Sequence, residues 1–158
     1  MIFVTLGTQD KGFPRLLGEI EKLINQGIIH DEVVVQAGVT KFVSNQMKII
    51  DFLDMHEFDQ HVNECTLMIT HGGVGSILNG IRKNKKVIAV ARRLKYDEHE
   101  NEHQIEIVRA FDEMGYIVGC LDANDLKNQY CRLHHFNTKE YKSNNAFFCE
   151  QIKALIEE

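Results

Sequence analysis

The 158-residue sequence holds a single proline, no serine- or glycine-rich run and no cysteines spaced C-x-x-C. One proline and no biased stretch argue against a disordered chain or a flexible linker. No apolar run approaches the ~20 residues that span a bilayer. The opening Met1-Ile-Phe-Val-Thr-Leu-Gly-Thr-Gln-Asp10 lacks the basic leader of a signal peptide and reads as a first strand from Ile2. Basic residues are outnumbered, 18 Lys and Arg against 23 Asp and Glu, for a net charge of −5. A general nucleic-acid binder would carry a basic stripe, so the mild acidity argues against that class. Cys65, Cys120, Cys131 and Cys149 read as reduced thiols of a cytoplasmic protein, buried as small hydrophobes.

What is present suits one domain over residues 1–158. A chain of this length buries roughly 68–70% of its unfolded surface, enough for a core without staples. Short β-branched runs occur at Ile2–Leu6, Glu32–Gln36, Met47–Phe52, Leu67–Thr70, Lys86–Val90 and Tyr116–Leu121. Most are continuously apolar, the pattern of strands covered on both faces of a parallel sheet. Helical spacing lies between them. Phe13, Leu16, Leu17, Ile20, Leu23 and Ile24 share one face, and Gly27 follows. Ile105, Val108, Phe111 and Met114 repeat the pattern before Gly115. A short helix is expected near Leu126–Leu133, and a last one at about 145–158. Val43, Met47, Phe52 and Phe58 read as core. Strands alternating with helices predict an α/β fold, a Rossmann-like doubly wound parallel sheet. Ligands of such sheets bind beyond the carboxyl ends of the strands. The residues that end each strand therefore matter most: Gly7-Thr8-Gln9, Gln36-Ala37-Gly38, Thr70-His71-Gly72-Gly73 and Ala91-Arg92-Arg93.

Four of the eleven glycines fall within Gly72–Gly80, where an apolar strand enters a glycine-rich turn and a helix follows. Such a turn lets the backbone approach an anion, and the helix N-terminus offers free N–H groups with partial positive charge. Ser76 can cap the helix or donate to a phosphate oxygen. The spacing is neither G-x-G-x-x-G nor a P-loop, which counts against NAD binding and ATP hydrolysis. A flavodoxin-like domain would carry its phosphate loop after the first strand, where only Gly7-Thr8-Gln9 stands. Arg92, Arg93 and Lys95 at another strand end could meet phosphate or a sugar carboxylate. His99-Glu100-Asn101-Glu102-His103 matches the zinc protease pattern H-E-x-x-H. That chemistry needs both histidines on one helical turn and a third ligand. The motif begins in a βα loop and no third ligand stands out, so no metal is expected.

Met1–Thr8, Ile69–Leu78 and Val87–Tyr96, running on to Asn101–Gln104, together resemble the donor-binding half of GT-B glycosyltransferases of family 28. The last piece resembles the PssE-like branch of exopolysaccharide and capsule synthesis in particular. The eukaryotic counterpart of that branch is the soluble subunit of the dolichol-linked UDP-GlcNAc transferase. The resemblance implies one half of a GT-B fold and a split, UDP-sugar-dependent inverting hexosyltransferase without a cofactor. A membrane-attached partner would hold the acceptor-binding half and present a lipid-linked sugar. This chain would then work at the inner face of the cytoplasmic membrane, recruited by that partner.

The resemblance also implies site roles. Gly7 and Thr8 would line the cleft near the diphosphate. His71, Gly72, Gly73, Gly75 and Ser76 would hold the diphosphate and part of the nucleoside. Asn101, Glu102, His103 and Gln104 would face the donor sugar, with Arg92 and Arg93 at the mouth. His71 stays open between donor binding and catalytic base. Asn79 stands where the family often has a ribose-binding acid, which keeps open a non-catalytic nucleotide-binding or regulatory subunit. The C-terminal helix, with Phe147, Phe148, Ile152, Leu155 and Ile156, would either dock the partner or pack on its own domain.

Overall fold

The computed structural model describes residues 1–142 and 146–157. Six parallel strands form one sheet: β1 (Ile2–Thr5), β2 (Val33–Gln36), β3 (Lys48–Ile50), β4 (Leu67–His71), β5 (Lys86–Val90) and β6 (Val118–Cys120). The order across the sheet is β3-β2-β1-β4-β5-β6. The chain winds outward from β1 to β3, returns to place β4 beside β1, then winds outward the other way. Thr5 of β1 lies in register with Gln36 of β2 and Thr70 of β4, so three polar side chains meet at the switch point.

The helices are α1 (Pro14–Asn25), α2 (Met55–Glu64), α3 (Val74–Arg82), α4 (His103–Glu113), α5 (Leu126–Leu133) and α6 (Ala146–Glu157). Successive strand residues point to opposite faces. Val4 and Ile69 therefore pack with Leu16, Leu17 and Ile20 of α1 and Leu126 of α5. Phe3 and Met68 pack on the other side with Val62 of α2, Ile77 of α3 and Phe111 of α4. Both faces are covered, which is why the strands read as unbroken apolar runs. Gly27 and Gly115 follow α1 and α4 as expected.

Several expectations are corrected. The sequence pattern did not reveal α2, which buries only Val62 fully. Its start is fixed by a capping box: Asp54 accepts from the Glu57 N–H at 2.8 Å, and Glu57 accepts from the Asp54 N–H at 3.2 Å. Met47 is buried as expected, but Val43 is 93% and Phe52 56% exposed. Cys65 and Cys120 are buried, and burial pushes the Cys120 thiol up to about 12. Cys131 and Cys149 are exposed. In α6, Ile152 is buried and Leu155 half-buried in the cluster that includes Phe111 and Tyr116. Those two residues pack on their own domain. The side chains of Phe147, Phe148 and Ile156, and residue 145, lie outside the described residues.

Candidate functional site

Beyond the carboxyl ends of β1 and β4 opens a cleft of about 720 Å³. This is the switch-point crevice where open α/β sheets bind their ligands. Thr5 and Gln36 line it at the strand ends. Gly7, Thr8 and Gln9 form one side, and His71, Gly73, Gly75, Ser76 and Asn79 another. A further wall comes from Phe52–Met55, Phe58 and Asp59 at the start of α2. Gln36 braces that wall, since its Oε1 accepts from the Leu53 N–H at 3.0 Å. Phe58 is anchored edge-on against the buried Phe3, with ring centroids 5.3 Å apart. Phe52 is left with its ring exposed.

Gly73 is the N-cap of α3 and no side chain caps the helix. The Ile77 N–H closes the first turn on the Gly73 carbonyl at 3.1 Å. The N–H groups of Val74, Gly75 and Ser76 have no intrahelical partner. Gly75 and Ser76 line the cleft. The positive end of the α3 dipole thus meets the cavity, an arrangement suited to an anion.

His71, the last residue of β4, is 7% exposed and lies between two glycines. A Cβ on Gly7 or on Gly73 would stand within 3 Å of its ring. Gly7 also has φ +76, a conformation that L side chains resist. Ser76 Oγ lies 3.4 Å from His71 Nε2, and the Gln104 amide nitrogen 3.3 Å from Nδ1. Burial, followed by the Arg92 and His99 charges, depresses the imidazole to about 3. His71 is therefore neutral at ordinary pH. On the opposite wall, the Lys83 ammonium 2.7 Å away holds the Asp59 carboxyl below its ordinary value.

The predicted site divides. Gly7, Thr8, His71, Gly73, Gly75, Ser76 and Asn79 come together in the cleft. Gly72 is buried behind it, with its N–H on Gln104 Oε1 at 3.1 Å. Gln104 does not face a sugar, because it is 3% exposed and both ends of its amide are engaged within the protein.

Arg92 is not at a mouth either. At 1% exposure it donates to the carbonyls of Leu6, Lys11, Gly12 and Glu98. Arg93 is drawn away to Glu102 and Asp122, each at 3.2 Å, and Lys95 lies 3.6 Å from Asp122. Arg15 binds Glu98 through two parallel bonds of 2.7 and 2.9 Å and also reaches Asp122. Arg93 and Lys95, expected at a phosphate or sugar carboxylate, are thus paired with Glu102 and with Asp122 beyond β6, and neither lines the cleft.

A smaller hollow of about 310 Å³ is lined by Gln9, Asp10, Lys11, His99, Glu100 and Asn101. Gln9 borders both cavities. Glu102 and His103 stand outside both; His103 opens α4 with Nδ1 3.6 Å from the Glu106 carboxylate. His99 lies in the loop before α4, so the two histidines of the H-E-x-x-H pattern share no helical turn. Sequence reasoning missed Phe52, Asp54, Met55 and Asp59. The capping box at Asp54 and Glu57 was the signal that would have placed them beside a helix start.

A doubly wound parallel sheet with an uncapped helix N-terminus at its switch point defines a Rossmann-like ligand-binding domain. The chain belongs to glycosyltransferase family 28: residues 1–158 match that family's C-terminal domain. It is similar to the UDP-N-acetylglucosamine transferase subunit ALG13 of Candida albicans, 26% identical over 81 residues, 51% of this chain and 26% of that protein. For the subunit of the same name in Candida glabrata the figures are 32% over 91 residues, 56% of this chain and 44% of that one. The matches thus span less than half the length of these curated relatives. Among solved structures, the solution structure of ALG13 matches with TM-score 0.63 at 20% identity, covering 96% of this chain and 94% of that one. The kitacinnamycin glycosyltransferase matches with TM-score 0.61 at 11% identity, covering 99% of this chain and 38% of that one. At these identities the structural likeness speaks to the fold alone.

Proposed function

We propose that the chain is the donor-binding subunit of a two-component inverting glycosyltransferase that uses a UDP-sugar. The observation that carries this reading is the uncapped N-terminus of α3 beside neutral His71, at the switch point of the sheet. There the diphosphate accepts from the first-turn N–H groups and from Ser76. The uracil lies on the exposed ring of Phe52, since a base stacks on any aromatic face. The ribose lies near Asn79 and Asp59. The sugar extends past Gln9 into the smaller hollow, whose amides, ammonium and imidazole suit hydroxyl groups.

The helix dipole stabilises charge that develops on departing UDP, the electrostatic part of the catalysis. The acceptor half, and the base that deprotonates the acceptor hydroxyl, come from a membrane-attached partner. That partner presents a lipid-linked sugar at the inner face of the cytoplasmic membrane, in the synthesis of a cell-surface polysaccharide. The relatives named as transferase subunits support a multisubunit enzyme.

Ligand-observed NMR of UDP with the purified chain tests the donor site, with ADP and NAD as controls. Selective UDP contact is the expected result; equal contact by all three, or by none, would overturn it. Asn79 in place of an acid favours a second reading, a nucleotide-binding subunit that regulates another protein. Absence of sugar transfer by the reconstituted pair, with UDP binding intact, would select that reading.

A further inference from the structure

We infer that Gln104 is a positioning residue that locks His71 in one tautomer, with the ring proton on Nε2. His71 is thereby a hydrogen-bond donor to the cleft and not a base. The Gln104 amide has no freedom to turn over. Its Oε1 accepts from the Gly72 N–H at 3.1 Å and from the Arg92 N–H at 3.0 Å. The opposite orientation would set an NH2 against two backbone donors. With Oε1 held, the amide nitrogen faces His71 Nδ1 at 3.3 Å. An amide nitrogen donates and does not accept, so Nδ1 must be the acceptor. The single proton of the neutral ring then resides on Nε2. That atom faces Ser76 Oγ at 3.4 Å, on the cleft wall.

Protonation of the ring is opposed from the same side, because a hydrogen on Nδ1 would point into the amide NH2. Burial and the Arg92 and His99 charges act in the same direction. Neither ring nitrogen keeps a lone pair for an incoming hydroxyl: Nδ1 is engaged by Gln104, and Nε2 carries hydrogen. Resting on the reading of the cleft as a diphosphate site, the Nε2–H is directed at leaving-group oxygen. Of the carboxamides that line the cleft, Gln36 lies nearest the strand ends, and its amide is tied to Leu53 and Thr5. The lock belongs to Gln104 alone among the described residues.

The test is a long-range 1H–15N correlation spectrum of the full chain labelled at histidine. His71→Gln assigns the signals by their disappearance. The wild-type Nδ1 should be pyridine-like and Nε2 pyrrole-like, unchanged from about pH 5 to 8, where an ordinary histidine titrates. Gln104→Glu should move the proton. One carboxylate oxygen keeps the two backbone bonds and the other demands a hydrogen from Nδ1, so the Nδ1 resonance shifts to the pyrrole-like region. A wild-type ring protonated on Nδ1, or titrating in that range, would overturn the inference. So would an unaltered pattern in folded Gln104→Glu. Should that variant not fold, the wild-type spectrum alone decides. Adding UDP to the same sample separates the two claims: an unmoved Nε2 signal counts against the diphosphate site and leaves the tautomer standing.

Discussion

The guanidinium of Arg92 donates to the carbonyl of Leu6, 86 residues earlier, and ties the end of β5 to the end of β1. Its other bonds go to the carbonyls of Lys11, Gly12 and Glu98, and its Cζ lies 5.0 Å from the Phe13 ring centroid. Among the described residues, its side-chain bonds go to carbonyls and none to a carboxylate. One buried cation thus organises the loop that carries Gly7 and Thr8. Arg92→Leu leaves those carbonyls unpaired in the interior and should destabilise the fold by about 3–5 kcal/mol. Arg92→Lys keeps the charge but not the fork and should fall between. Urea denaturation measures both. Equal stability of Arg92→Leu and wild type would mean that the loop is held by other contacts.

The two glycines at the start of α3 separate space for a side chain from space for a ligand. A Cβ on Gly73 would overlap the His71 ring, whereas one on Gly75 would meet nothing within 4 Å. Gly73→Ala should therefore displace His71 and weaken both the fold and UDP binding. Gly75→Ala should leave the fold intact or stabilise it by up to about 1 kcal/mol, because alanine favours a helix. Its methyl group nevertheless stands at the anion cradle and should reduce UDP affinity by about tenfold or more. Thermal unfolding and UDP titration of the two variants distinguish them. Unchanged affinity in Gly75→Ala would remove the α3 N-terminus from the site.

The sheet and the glycine turn into α3 were legible because burial on both faces writes strands as unbroken apolar runs, and Gly72–Ser76 stands directly after one. The third wall was not legible. Only Val62 of α2 is fully buried, so its apolar stripe is too thin to show as a period. Phe52 read as core because composition gives no means to tell a core aromatic from one kept open for a ligand. Adjacent Arg92 and Arg93 look alike in sequence, yet one is buried on carbonyls and the other paired with Glu102 and Asp122. Gln104, read from the sequence as facing the donor sugar, is buried behind the cleft against His71 and Gly72. A pattern identifies the loop, and only packing says which way the amide turns.

His71 gives stability a slope with pH. Its pKa is lowered to about 3 in the folded chain, against an ordinary 6.5. Between these values the unfolded chain binds a proton that the folded chain does not. Stability therefore falls as pH drops below about 6.5, with a slope approaching 1.4 kcal/mol per unit. His71→Gln, which has no titrating group, should flatten this part of the curve. Urea unfolding at pH 7, 6 and 5 measures it. Parallel curves for the variant and the wild type would show that His71 titrates normally when folded.

Phe52 and Phe58 line one wall of the cleft, but only Phe58 packs against the core ring of Phe3. Phe58→Ala should lower stability by about 2–4 kcal/mol through lost packing, a value reduced from full burial because the residue is half-exposed. Phe52, at 56% exposure, supports little of the fold, and Phe52→Ala should change stability by less than about 0.5 kcal/mol. Base stacking on an aromatic ring is worth about 1–3 kcal/mol, so the same variant should bind UDP roughly tenfold or more weakly. Phe52→Tyr keeps the π-face and should bind as the wild type does. UDP titrations against the three variants and the wild type, beside their urea curves, measure this division. Wild-type affinity in Phe52→Ala would place the base elsewhere in the cleft.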